Sequence, residues 1–322
     1  MEYIAVAFIG LGRIASLLEN DPLREKPCTH AGAVADNPAC FIAAGMDNNA
    51  ERRELFSQRW HCPSYTDAQT MITHHKPQIV IVATDPEFHA EYCSLASALN
   101  VPFIICEKPL ADSLQKARCI SALKSRILVN HERRYAKNYQ KAREIIKNQQ
   151  LLSVKGTICM GKNRTLRTVL WNDATHLIDM LLFLSGAHTI KHKYCGGADL
   201  DSRSGSAFLI GLLDDSIPFC IEIGAERDHL IFEIECSYAT GKIRIGNDVF
   251  ELWESGPSVY AERFRSLFKI QETFKGPTGY FVNMIADAVD CVRDSRRLPL
   301  SSAQDALAGI EYLDSLAYSL EN

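Results

Sequence analysis

The sequence predicts an α/β protein of two domains, a doubly wound parallel sheet followed by an α+β domain on a mainly antiparallel open sheet. Three observations predict it. The first third of the chain alternates apolar runs with amphipathic stretches, the pattern of parallel strands joined by crossover helices. A glycine turn, Gly10, Leu11, Gly12, Arg13, Ile14, Ala15, follows the first apolar run directly. After about Asn130 the alternation ends and several strands come in succession. At 322 residues the chain exceeds one compact core, so it divides into residues 1–130 and 131–322, with the last helix able to pack back on the first domain. A hydrophobic content of 47% is enough to fill both.

In the first domain the candidate strands are Tyr3 to Ile9, which the chain reaches straight from Met1 and Glu2, then Phe41 to Met46, Ile79 to Ala83, Phe103 to Cys106 and Ile127 to Val129. Between them Ala50 to Arg59, Asp67 to His74, Glu87 to Leu99 and Ser113 to Ser125 carry apolar residues three or four apart, the helical period. In the second domain a helix at Lys137 to Lys147 precedes a strand at Ser153 to Cys159 and a helix from Asn172 to Leu184. Phe208 to Leu213, Phe219 to Gly224, His229 to Cys236, Gly241 to Ile245 and Asp248 to Trp253 then read as neighbouring antiparallel strands, with Asp214, Asp215 and Gly246, Asn247 as turn signals. Helices at Gly279 to Asp294 and Ser302 to Leu320 close the chain.

Composition narrows the function. The chain carries 35 basic and 39 acidic residues, a net charge of −4, with no basic track to follow a phosphate backbone, so nucleic acid is not an expected partner. No basic leader precedes the first strand and no apolar run reaches membrane-spanning length, so we expect a cytoplasmic protein without a membrane partner. Eleven cysteines show no two-residue spacing, and Cys93, Cys106, Cys220 and Cys236 lie inside apolar runs. They read as buried thiols in a reducing compartment. His188 and His192 have a metal-gripping spacing, but Thr189 and Ile190 between them read as loop or strand, and no metal is expected.

The glycine turn carries the first chemistry. Gly10 permits the turn from strand to helix, Gly12 lets the backbone approach a pyrophosphate, and Ala15 allows close packing of the helix whose amides hold the anion. The second strand ends in Asp47, whose carboxylate accepts hydrogen bonds from adenosine ribose hydroxyls and repels a 2′-phosphate. NAD is therefore favoured over NADP, with Arg52 and Arg53 close behind as the feature that would neutralise a phosphate. Asp47 lies 37 positions after Gly10, where about 20 is usual. The excess lies in Glu19 to His30, where Asp21, Pro22, Lys26 and Pro27 do not continue a helix. The first helix is thus expected to be short, followed by a loop that covers the cofactor or a partner subunit, or is a plain surface insertion.

A second motif, Glu107, Lys108, Pro109, comes off the apolar run Val101 to Cys106, at a strand end where such a sheet presents catalytic groups. With the glycines, Asp47, the stretch Ala83, Thr84, Asp85, Pro86, Glu87, Phe88, His89, and the later segments Asn130 to Tyr135 and Asn172 to Asp179, the chain resembles the glucose-fructose oxidoreductase, inositol dehydrogenase and MocA (Gfo/Idh/MocA) family over nearly its whole length. The resemblance implies a Rossmann domain that binds NAD through Gly10, Gly12, Arg13, Ile14, Asp47, Thr84, Asp85, His89, Glu107 and Lys108. It also implies that Lys108 and His176 flank a sugar or polyol carbon. An imidazole suits the proton exchange that alcohol oxidation requires.

Asn172, His176 and Asp179 share one face of their helix, at i, i+4 and i+7. Many family members place an aspartate where this chain has Asn172, with Asp173 one position later; either Lys108 and His176 carry the reaction, or Asp173 enters through a shifted helix start, or Asp173 only complements the helix dipole. The glycine-rich run that the family places before this helix is replaced by Thr168, Val169, Leu170 and Trp171. Arg134 and Tyr135 at the domain junction, and Arg164 and Arg167 on the loop entering the His176 helix, are candidates for contacting an anionic or nucleotide-linked sugar. The expected activity is NAD(H)-dependent hydride transfer at a secondary alcohol or ketone of a sugar, polyol or nucleotide-activated sugar. The alternatives are a catalytically silent dinucleotide sensor and an imine or tetrapyrrole reductase. A helix-free sheet face in the second domain implies a homodimer or homotetramer.

Overall fold

The computed structural model describes residues 3–247 and 249–321. Met1, Glu2 and Asp248, which the sequence reading places at or before strand starts, lie outside them. The chain forms two compact units, one of the residues through Ala136 with Gly279–Ile310, the other of Lys137–Thr278 with the residues from Glu311 onward.

The first unit is built on six parallel strands, β1 (Ile4–Ile9), β2 (Cys40–Met46), β3 (Ser64–Tyr65), β4 (Ile79–Val82), β5 (Phe103–Cys106) and β6 (Arg126–Val129). Their spatial order is β3-β2-β1-β4-β5-β6. The chain leaves β1 on one side and returns to it on the other, so the topology reverses between β1 and β4 and opens a crevice at their carboxyl ends. β1, β4 and β5 are buried at every position. That is the condition of strands covered by helices on both faces, and it explains their unbroken apolar runs. The crossover helices Ala50–Trp60, Ala68–His75 and Leu114–Ser121 start at Asn49, Asp67 and Ser113, whose side chains each accept a backbone N–H of the first turn. β3 was not foreseen; two residues are too few for any period.

The first crossover departs from expectation. No α-helix follows Gly12: Ser16 and Leu17 donate to the Gly12 carbonyl, Leu18 donates to Arg13, and a 3₁₀ turn spans Leu17–Asn20. The helix instead comes after the insertion, at His30–Asp36, capped by Thr29. The ends of the excursion meet, His30 N donating to Ile14 O at 3.2 Å and Ala31 N to Ala15 O at 2.9 Å. The Glu19 carboxylate accepts Cys28 N at 3.1 Å and Thr29 Oγ1 at 2.6 Å, which closes the loop from inside.

Division at residue 130, with the last helix able to pack back, leaves the preceding helix with the second domain, whereas packing puts Gly279–Ile310, which holds that helix and the start of the last, in the first unit. Helix Tyr280–Arg293 buries Phe281, Met284, Ile285, Ala288 and Val289 in the same core as Ile4, Val6 and Phe8. Within that unit Asp287 accepts the Tyr135 hydroxyl at 3.1 Å and Leu300 N at 2.8 Å. Arg134 donates to Leu300 O at 2.8 Å and lies 3.3 Å from Asp305.

The second unit carries an eight-stranded sheet of β7 (Leu151–Gly161), β8 (Ile190–Gly197), β9 (Gly205–Leu213), β10 (Ile217–Arg227), β11 (Ile231–Tyr238), β12 (Gly241–Gly246), β13 (Phe250–Pro257) and β14 (Arg265–Gln271). The order is β14-β13-β12-β11-β7-β10-β9-β8. Pairing is antiparallel except between β7 and β10. β10 and β11, consecutive in sequence and expected as neighbours, are separated by β7, whose Val154 and Ile158 are buried between them. β9 and β10 do form the expected hairpin, with Asp214 and Asp215 both in the left-handed region at φ 45° and 54°. Helix Ala174–Ser185 lies over β7 where Gly156 leaves room: a Cβ there would come 2.9 Å from Leu177 Cδ1. On the other face of the sheet Phe208, Ile210 and Cys220 are exposed, which for Cys220 corrects the expectation of a buried thiol.

Candidate active site

In the first unit the crevice between β1 and β4 is walled by the glycine turn. Gly10 has φ +87°, and a Cβ on it would stand 2.6 Å from Ala83 O, so only glycine lets the end of β1 pass so close to β4. Gly12 is open toward the cleft, and a Cβ there would have only Arg52 Nη1 nearby, at 3.7 Å. The cleft measures about 630 Å³ and is lined by Gly10, Gly12, Arg13, Ile14, Asp47, Thr84 and Asp85, all expected from sequence. It is also lined by Arg52, weighed from the sequence as a group that would neutralise a phosphate, and by Leu18, Asn48, Phe88 and Tyr92, which were not assigned to it. Phe88 and Tyr92 stand at i and i+4 on helix Pro86–Ala98, a pairing legible in the sequence as an aromatic stripe. Leu18 enters only because the insertion folds back on its own start.

Asp47 is 93% removed from solvent. One carboxylate oxygen accepts Leu11 N and the other Asn49 N, each at 2.8 Å, so the side chain ties the glycine turn to the start of helix Ala50–Trp60. Each oxygen has a second lone pair left, the capacity two ribose hydroxyls need. Of the two arginines behind it, Arg53 is turned onto the carbonyls of Asp47 and Asn48, at 2.7 and 3.1 Å. Arg52 stays at the cleft, 3.7 Å from the Asp47 carboxylate. Burial, followed by the carboxylates of Glu91, Asp47 and Asp67, pushes the Tyr92 phenol up, so Tyr92 faces the cleft protonated.

The residues Glu107, Lys108 and Pro109 leave β5 with a cis peptide between the last two. Lys108 is half-buried and Glu107 is buried. Its Oε1 accepts His30 Nε2 and Asn130 Nδ2, both at 2.6 Å, and its Oε2 accepts Lys108 N at 3.3 Å. Burial alone would push this carboxyl up; hydrogen bonding and charge from His30, the Asn130 amide and the Lys108 cation together hold it below the usual glutamate value. His89 is fully buried, its ring nitrogens 3.0 Å from the carbonyls of Pro109 and Thr84. Neither Glu107 nor His89 is among the residues lining the cleft; His89, fully enclosed with both nitrogens against backbone carbonyls, corrects the expectation that it contacts the cofactor. Arg134 and Tyr135 are buried in the contacts with Leu300, Asp305 and Asp287, which corrects their assignment to substrate.

In the second unit the helix expected from Asn172 to Leu184 runs from Ala174 to Ser185, and a further helix that was not expected, Leu166–Asn172, precedes it, the two meeting at Asp173. Asn172 ends the first, exposed, while His176 and Asp179 sit buried on the second, so the three do not form one stripe. Asp173 has no capping bond; its carboxylate instead takes Arg164 Nη1 at 2.5 Å. Arg167 lies in the first turn of a helix rather than a loop and forks onto Asp201, at 2.9 and 3.3 Å. Both arginines expected to meet an anionic substrate are thus neutralised by partners of their own.

Residues 4–127 match the oxidoreductase family with NAD-binding Rossmann fold designated GFO_IDH_MocA. No curated protein matches the chain. Among solved structures, a dehydrogenase from Chromobacterium violaceum superposes with a TM-score of 0.83 at 15% identity, covering 99% of this chain and 96% of that one. UDP-N-acetylglucosamine 3-dehydrogenase from Acidithiobacillus ferrooxidans does so with 0.80 at 14%, covering 99% and 98%. An oxidoreductase domain protein from Kribbella flavida gives 0.80 at 15%, covering 100% and 98%. At such identities the likeness is one of fold.

Proposed function

The nucleotide-binding domain of this chain belongs to the Gfo/Idh/MocA oxidoreductase family, and from that premise we propose that the protein is an NAD(H)-dependent dehydrogenase or reductase acting at a secondary alcohol or ketone of a sugar, polyol or nucleotide-activated sugar. The observation that carries the reading is Asp47, a buried carboxylate at the cleft with a free lone pair on each oxygen and Arg53 turned away from it. It favours the unphosphorylated ribose of NAD. Gly10 and Gly12 fit a pyrophosphate, because the backbone there approaches the cleft without side chains. When bound, the dinucleotide supplies a carbon that accepts or returns hydride. Lys108, half-buried at the end of β5, is assigned to polarise the substrate oxygen. His176 is assigned to exchange the hydroxyl proton, since an imidazole nitrogen can both take up and release one. Eleven free cysteines favour a reducing cytoplasm.

Titration with NADH and NADPH tests the cofactor, and tighter binding of NADPH would remove Asp47 as the selector. A panel of sugars, polyols and nucleotide sugars, followed by the absorbance of reduced nicotinamide, tests the chemistry. On a substrate so found, full turnover by His176→Ala would end its catalytic assignment. Asn172, a neutral residue where many relatives have an acid, supports the second reading of a dinucleotide sensor; tight NADH binding without turnover of any compound is its signature.

A further inference from the structure

Two fully buried histidines stand behind the Lys108 turn without touching the cleft. His30 arrives from the far end of the insertion, at the start of helix His30–Asp36, and bonds Glu107 through Nε2 at 2.6 Å. His89, on helix Pro86–Ala98, sets Nδ1 3.0 Å from the Pro109 carbonyl and 3.3 Å from that of Leu110, and Nε2 3.0 Å from the Thr84 carbonyl; a neutral ring carries one N–H and donates on one of these sides. Lys108 lies between the two residues they hold. We propose that His30 and His89 are positioning residues for Lys108, fixing the residue before it and the residue after it so that its ammonium is presented at one place.

The chemistry on either flank is unequal. Glu107 is a buried carboxylate that the side chains of Asn130 and His30 bond, so losing His30 leaves a charge short of one donor. His30 has no other polar duty: its Nδ1 has no partner among the described residues, and its ring meets the edge of Phe281 at 5.2 Å. An imidazole that only filled the core would not bring its one bond to the residue preceding a candidate catalytic lysine. His89 lies between the Lys108 turn and the Thr84 loop, which lines the cleft, so the lysine and the cleft wall pack on one ring. A lysine side chain has four rotatable bonds; its ammonium is placed no better than its backbone is, and a misplacement of about 1 Å costs on the order of a hundredfold in rate.

The inference rests on the assignment of Lys108 to the reaction, but its test needs no substrate. The amide nitrogen of glutamine mimics histidine Nε2, and that of asparagine mimics Nδ1. At position 30 the bond runs through Nε2, so His30→Gln should keep the reactivity of Lys108 and His30→Asn should not. At position 89 the tautomer with its N–H on Nδ1 is the one that bonds Pro109, so His89→Asn should keep that bond and His89→Gln should not. In the full chain, acetylation of Lys108 by acetic anhydride is followed by mass spectrometry across pH, with Lys116, bonded to Asp112 at 2.8 Å, as internal reference.

The expected pattern is a change in Lys108 reactivity of about threefold in His30→Asn and His89→Gln only. Thermal unfolding reports which variants are folded, and if one pair fails to fold the other decides. Equal Lys108 reactivity within each folded pair, or the reverse order, overturns the inference. The expected pattern together with an inactive substrate panel would leave it standing and defeat the dehydrogenase reading instead.

Discussion

Asp47 holds the glycine turn and the next helix together through two backbone amides while offering its remaining lone pairs to the cleft. Asp47→Asn keeps one acceptor oxygen and sets an amide NH₂ against one of those N–H groups. The expected outcome is a loss of about 1–3 kcal/mol in stability, and calorimetric NADH affinity lower by at least about tenfold. Undiminished NADH binding would contradict it. Glu107 sets a pH dependence of known sign. Its folded carboxyl titrates below the ordinary value of 4.5, so its stabilisation is present above that pH and lost as pH falls through the depressed folded value. Unfolding temperature should therefore decline below about pH 4.5, and Glu107→Gln should make that decline shallower; an unchanged slope would count against it. Gly10 and Asp47 were legible in the sequence because turn chemistry and strand ends are local. His89, Arg134 and Tyr135 were misread because burial is set by elements far away in the chain, and no neighbouring residue announces it.

Among elements, the excursion between Ser16 and His30 was recognised by length alone. Its fold was not legible, since one carboxylate, Glu19, closes it by accepting from Cys28 and Thr29. Glu19→Ala should open the loop, speeding tryptic cleavage after Arg24 severalfold while costing the whole protein only about 1–2 kcal/mol. Cleavage at the wild-type rate would show that the loop is held by other contacts. The join at Asp173 has a similar lesson. Periodicity starts the helix at Asn172, which instead ends a preceding one, and the Arg164 to Asp173 pair, nine residues apart in sequence, marks the join.

At the scale of the whole molecule, the open face of the second unit's sheet shows Phe208 and Ile210 at 45% and 48% exposure, on strand positions alternating with the buried Ala207 and Leu209. A homodimer through this face is expected in solution, and Phe208→Glu with Ile210→Lys should shift the mass by analytical ultracentrifugation to that of a monomer. A wild-type monomer would refute it. The order of apolar runs, the glycine turn and the Asp47 strand end by themselves determined the fold class, the parallel first sheet and the site of the dinucleotide cleft, because each depends on periods and turns a few residues long. The tertiary structure alone decided that Gly279–Ile310 joins the first unit, that β7 separates β10 from β11, and that His30 stands behind Lys108. Those facts rest on contacts between residues tens to hundreds of positions apart, which no local pattern encodes.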